Sequence, residues 1–263
     1  MSKKVLFFDI DGTLQSEVTK TVPQSAVEAI EKARSQGHLV FINTGRSYSQ
    51  LGPIQERLET DGYLCGCGTY IEAGGEILYH RVLPRAQAEQ IKAAIISCNM
   101  EGVLEGKEGC YYSHETSRFT LGQALLVHLA GAFKSPGDDE DSGCSYEKFC
   151  VMTDDKSNKA AFFRSLGLGI DVIDRGGGFY ECVPAGHSKA TAIEVILDHY
   201  QLKLTDAIVF GDSLNDLSMF ELVPNAVLME KHDRELEPFA SFRTRTVEND
   251  GIAYAMQRLG LLE

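Results

Sequence analysis

The chain has 263 residues, a formal net charge of −13 and a sequence pI near 5.0. Without a basic excess to displace counterions, nucleic acid and acidic membrane surfaces are excluded as general partners. The length suffices for one or two hydrophobic cores, and no apolar run approaches the roughly eighteen residues of a membrane span. Lys3 and Lys4 precede a short apolar stretch, but Asp9 interrupts it too early for a signal peptide. The cysteines at 65, 67, 98, 110, 144, 150 and 182 form no CxxC pair, so reduced thiols and a cytoplasmic setting are expected.

In chain order, residues 5 to 9 read as a strand and Ser25 to Gln36 as a helix, with Pro23 ahead of it and Gly37 closing it. Leu39 to Asn43 is a near-continuous apolar strand, the pattern of a sheet covered on both faces. A helix near Tyr48 to Leu58 and a strand at Tyr63 to Cys65 continue a β-α-β-α-β rhythm. That rhythm predicts an α/β fold with a doubly wound, parallel, Rossmann-like sheet. Gly66 to Ile71 and Glu76 to Val82 then read as a hairpin. From 84 to 185 the pattern becomes α+β, with helices at Ala86 to Ser97, Leu121 to Ala132 and Lys156 to Leu166. Strands are expected there at Val103 to Glu105, Gly109 to Tyr112, Phe149 to Met152, Val172 to Asp174 and Phe179 to Val183, and a polar loop at 136 to 143. The α/β rhythm returns with a helix at Lys189 to Tyr200, strands at Ala207 to Phe210 and Ala226 to Met229, and helices at Leu217 to Glu221 and Ile252 to Leu259. Two domains are expected, a core of 1–83 with 186–263 and an inserted domain of 84–185.

Asp9 and Asp11 end the first strand two residues apart, so strand periodicity points both to one side, with Ile10 on the other. Two crowded carboxylates repel unless a cation or a shared proton intervenes. Asp9-Ile-Asp-Gly-Thr13 resembles the first motif of the haloacid dehalogenase superfamily of phosphohydrolases. Thr44-Gly45-Arg46, Lys189 and Gly211-Asp-Ser-Leu-Asn-Asp216 supply the remaining three motifs in order, over nearly the whole chain. The arrangement is similar to the Cof-type branch, whose class IIB cap is inserted between the second and third motifs, which places a cap at 84–185. That branch usually carries Asn-Gly where this chain has Cys67-Gly68.

The resemblance implies a magnesium-dependent phosphatase acting on a small phosphomonoester, a sugar phosphate or similar metabolite. Asp9 would be the nucleophile that forms an aspartyl phosphate, and Asp11 the acid and base at the leaving alcohol and the attacking water. Mg²⁺ would be held by Asp9, the Asp11 carbonyl and Asp212, with Asp216 orienting metal-bound water. Thr44, the Gly45 N–H and Lys189 would clamp the phosphate, and Asn215 would support it. Asn215 and Asp216 also fit an N-cap of the following helix, and Arg46 fits either a substrate contact or a surface ion pair. A class IIB phosphomutase would use the same nucleophile and acid. A non-catalytic phospho-ligand sensor would need neither.

Overall fold

A computed structural model describes residues 3–113, 117–120, 131–132 and 145–262. The described chain divides into two compact units. The first comprises 1–45, 51–79 and 188–263, the second 46–50 and 80–187.

The first unit is built on an eight-stranded sheet. In spatial order its strands are Phe242–Arg243, Ala226–Leu228, Ala207–Gly211, Val5–Phe8, Leu39–Asn43, Gly62–Cys65, Tyr70–Ala73 and Glu76–His80. The first six run parallel, and Tyr70–Ala73 turns back antiparallel on Gly62–Cys65. Both faces are covered, which explains the apolar runs. Val5, Phe7, Phe41 and Val209 pack with Ile193, Ile196, Met219 and Phe220, from the helices Lys189–His199 and Leu217–Leu222. The alternate residues Leu6, Phe8, Val40 and Ile42 are equally buried, and the Phe8 and Phe210 rings stack at 4.3 Å between centroids. The helix Gln24–Ser35, with Ala26, Val27, Ile30 and Ala33 buried, packs against the closing helix Gly251–Arg258. Val5–Phe8 lies between Ala207–Gly211 and Leu39–Asn43, so connections leave it in opposite directions. Such a switch point is where a doubly wound sheet opens a crevice beyond its strands' carboxyl ends.

The second unit is α+β. Its strands, in spatial order, are Ile170–Asp174, Phe179–Pro184, Lys148–Met152, Glu101–Glu105, Cys110–Tyr112 and Gly131–Ala132. The helices Arg85–Ser97 and Lys159–Leu166 bring Ile91, Ile95 and Phe162 onto Leu104, Phe149, Val151 and Cys182 of the sheet. The short segment 46–50 belongs here because Ser49 Oγ donates to the Gly106 carbonyl at 2.7 Å and Ser47 Oγ lies 3.4 Å from Cys110 Sγ.

Several local expectations need correction. The helix expected over Tyr48 to Leu58 is a 3₁₀ turn, Tyr48–Gln50, then one α-helical turn, Gly52–Gln55. Pro53 has no N–H and is tolerated only in a first turn, so the helix must restart there. Gly66–Gly68 is a 3₁₀ turn rather than strand, because Gly66, Cys67 and Gly68 all have positive φ. The helix expected from Lys156 begins at Lys159, capped by the Asn158 side chain, which accepts from the Ala161 N–H at 3.2 Å. Of the helix expected at Leu121 to Ala132, residues 121–130 lie outside the described residues, and Gly131–Ala132 is a strand. The loop at 136–143 and Cys144 also lie outside them. The six described cysteines are thiols, and no described helix is long and apolar enough to cross a membrane.

Candidate active site

The strand Val5–Phe8 stops one residue short of Asp9, whose N–H still donates to the Phe210 carbonyl at 3.0 Å. The ladder therefore delivers Asp9 to the sheet edge, where it is 3% exposed. Beyond it the chain turns, and the Leu14 and Gln15 N–H groups donate to the Ile10 carbonyl at 2.9 and 2.7 Å. The strand ends before Asp9, and Asp11 is exposed on the turn that follows, with its charge still acting on the buried Asp9. Gly12 has φ +85°, and a Cβ there would overlap the Asp212 carboxylate. The turn needs glycine for both reasons.

Asp212 follows the neighbouring strand Ala207–Gly211, and Thr13 Oγ1 donates to its Oδ1 at 2.7 Å. Asp216 sits at the end of the turn Leu214–Asp216, and its side chain reaches back. Asp216 Oδ2 accepts from the Asp212 and Ser213 N–H groups at 2.9 and 3.1 Å. Asp216 occupies the N-cap position of Leu217–Leu222 without a side-chain bond there, and its carboxylate instead completes the capping box of the turn Leu214–Asp216 with Ser213. Asn215 Oδ1 accepts from Ser213 Oγ at 2.9 Å.

Lys189 opens the helix Lys189–His199 behind a capping box of Ser188 and Thr191, yet it is fully buried. Its Nζ lies 2.5 Å from Asp9 Oδ1 and 2.5 Å from Asp216 Oδ1. Carboxylate oxygens of Asp9, Asp212 and Asp216 all lie within 4.8 Å of one another, and Asp11 is not one of the three. Thr44 is buried at the end of Leu39–Asn43, its N–H donating to Leu64 and its carbonyl accepting from Cys67. Gly45 belongs to the same unit, whereas Arg46 falls in the second. His187 Nδ1 lies 3.0 Å from the Pro184 carbonyl of its own loop.

Three supporting residues escaped sequence reasoning. Thr13 holds Asp212, and its place in the first motif was the available signal. Asn43 Nδ2 donates to the Lys189 carbonyl at 3.0 Å, a link no spacing rule reveals. Asp233 accepts from the Leu214 N–H at 2.9 Å and donates its own N–H to the Asp212 carbonyl at 2.8 Å, closing the last loop.

Three carboxylates share one ammonium here, and burial sharpens the imbalance. Burial pushes the Asp9 carboxyl up to about 7; Lys189 works against this, and Asp216 and Asp11 work with it. Asp212 is pushed up to about 8, by burial first and then by Asp9 and Asp216. Burial works against the Lys189 ammonium, but Asp216 and Asp9 outweigh it and hold Lys189 above the ordinary lysine range. Between about pH 4 and 8 the folded protein therefore binds more protons at Asp9 and Asp212 than the unfolded chain, so their contribution to stability falls as pH rises. In chelator, the urea midpoint from pH 5 to 8.5 should fall more for wild type than for Asp212→Asn; equal slopes would contradict this sign. A hard divalent cation, which prefers oxygen ligands, fits a buried carboxylate set short of positive charge.

The sequence profile of the haloacid dehalogenase-like hydrolases matches residues 6–256. A putative phosphatase of Bacillus subtilis (strain 168), YkrA, is 29% identical over a 270-residue alignment covering 100% of both chains. A hypothetical protein of Geobacillus kaustophilus HTA426 superposes with a TM-score of 0.85 at 25% identity, over 99% of this chain and 100% of that one. The subclass IIB sugar phosphatase BT4131 superposes with a TM-score of 0.82 at 26% identity, over 98% and 100%. The doubly wound sheet, the four motifs and the matched profile lead to one assignment: the chain belongs to the haloacid dehalogenase-like hydrolases.

Proposed function

We propose that the chain is a magnesium-dependent phosphatase that hydrolyses a small phosphomonoester, a sugar phosphate or similar metabolite, through an aspartyl phosphate on Asp9. The observation that carries this reading is the meeting of Asp9, Asp212, Asp216 and Lys189 at the sheet's switch point. Asp9, Asp212 and the Asp11 carbonyl would hold the ion, with Asp216 positioning its water. When bound, magnesium supplies positive charge that lets one anion approach another.

An Asp9 oxygen attacks phosphorus and the bond to the leaving oxygen breaks, while Asp11 gives that oxygen a proton. Asp11 then takes a proton from water, whose oxygen attacks the same phosphorus and frees Asp9 and inorganic phosphate. Exposure of Asp11 suits this traffic, since it must meet both an alcohol and a water. Lys189, Thr44 and the Gly45 N–H would neutralise and orient the phosphate oxygens, with support from Asn215. Arg46 stands in the second unit, to which we assign the role of a specificity cap. The sugar phosphatase BT4131 supports a polyhydroxylated substrate class.

The test is free phosphate released by purified protein from a panel of phosphomonoesters, in magnesium and in chelator. Magnesium-dependent release from at least one small ester is expected; no release from any member would overturn the reading. The ion itself can be tested without turnover. Binding to the native state at a hundredfold excess over Kd stabilises it by about 2.7 kcal/mol. Magnesium should therefore raise the thermal midpoint of wild type, and Asp212→Ala should lose most of that rise. An identical rise in both would place the ion elsewhere.

A further inference from the structure

Thr44 and Lys189 lie 145 positions apart in the chain, yet the clamp role proposed for them requires a fixed separation. Two independent links join their surroundings. Asn43, fully buried beside Thr44, donates from Nδ2 to the Lys189 carbonyl at 3.0 Å. The turn Gly66–Gly68 makes the second link. The Cys67 N–H donates to the Thr44 carbonyl at 3.1 Å. One residue later, Gly68 lies so close to the Ser188 carbonyl that a Cβ would sit 2.5 Å from it. Ser188 is the N-cap of the helix that Lys189 opens.

The turn is also strained. Gly66, Cys67 and Gly68 have φ of 59°, 54° and 93°, and Cys67 alone of the three carries a side chain, buried at 3% exposure. A left-handed conformation is unfavourable for an L-residue that carries a Cβ. Such strain persists only where the surroundings over-determine it. Here they do: the conformation is what allows one turn to bond Thr44 on one side and abut Ser188 on the other.

We propose that Asn43 and the Gly66-Cys67-Gly68 turn form a brace that fixes Lys189 relative to Thr44, making them positioning residues for phosphate. The brace rests on the clamp reading above. It acts on geometry and touches no reacting atom. Gly68→Ala should push the Ser188 carbonyl away and move the start of the Lys189 helix. Gly75→Ala is the matched control, because Gly75 has φ +83° with open space around its would-be Cβ. It imposes similar backbone strain without displacing a neighbour.

The experiment is calorimetric titration of inorganic phosphate into magnesium-loaded protein, with thermal midpoints read in parallel. Gly68→Ala should weaken phosphate binding by about tenfold or more, the scale of a small misplacement. Asn43→Ala, which leaves the backbone alone, should weaken it by roughly three- to tenfold, as for one lost hydrogen bond. Gly75→Ala should lower the midpoint and leave phosphate affinity at the wild-type value. If Gly68→Ala fails to fold, Asn43→Ala decides the matter. Wild-type affinity in Asn43→Ala, or equal weakening in Gly68→Ala and Gly75→Ala, would overturn the brace alone. Wild-type protein that binds no phosphate would overturn the phosphatase reading, and the brace with it.

Discussion

Asp9→Asn is expected to lower turnover by about 10⁴-fold or more, the scale of losing a covalent nucleophile. The amide keeps the size of the carboxyl but cannot form the acyl phosphate. The fold should survive the change. Asp9 is buried and its carboxyl is pushed up to about 7 by that burial, so the native state gains little from ionising it. The Asn oxygen can still accept from Lys189, which lies 2.5 Å from the carboxylate it replaces. Thermal unfolding and phosphate release, measured on the same preparation, separate these effects. Turnover near the wild-type rate in a folded variant would remove Asp9 as nucleophile.

Lys189→Met should cost both stability and activity. The ammonium is fully buried between Asp9 and Asp216, and both carboxylates are buried too. Removing one partner of a buried ion pair typically costs about 3–5 kcal/mol, because the charge left behind stays desolvated. The loss should be larger at pH 8 than at pH 5, since at the lower pH the Asp9 carboxyl takes up a proton and no longer needs a partner. Magnesium should restore part of the stability by supplying positive charge to the same carboxylates. Turnover should fall by at least about 10²-fold even where the protein is folded, as when a preorganised charge is lost from a phosphate site. Denaturant unfolding at the two pH values, with and without magnesium, checks the sign. A variant as stable as wild type at pH 8 in chelator would show that the carboxylates do not depend on Lys189.

Much of this is legible in the amino-acid sequence. Asp9, Asp212 and Lys189 follow strand ends or open a helix, where side chains leave regular structure at predictable places. The apolar runs Val5–Phe8, Leu39–Asn43 and Ala207–Gly211 read as strands because each is buried on both faces. What sequence missed depended on events beyond the regular elements. Asp9 and Asp11 read alike from the strand pattern, but the strand stops at Phe8, and Asp9 is buried while Asp11 is exposed on the turn. Lys189 reads as a phosphate contact, and only tertiary packing shows it fully buried against the carboxylates of Asp9 and Asp216. Asp216 looks like a helix cap, yet its side chain turns back to bond two N–H groups that precede it. Thr13 and Asn43 hold partners 199 and 146 residues away, and no local pattern encodes such pairs. Phe242–Arg243 is a two-residue strand, too short for any periodicity to register.

The central claim is that Asp9 carries the phosphoryl group during turnover, and it can be read directly. Wild-type protein turning over a phosphomonoester in magnesium would be quenched with borohydride, which reduces an acyl phosphate to an alcohol, and the peptide spanning residues 5–14 examined by mass spectrometry. A reduced side chain at Asp9 is expected, absent without substrate and absent from Asp9→Asn. Rapid phosphate release with Asp9 unmodified and the label on another residue, or on none, would contradict the covalent route.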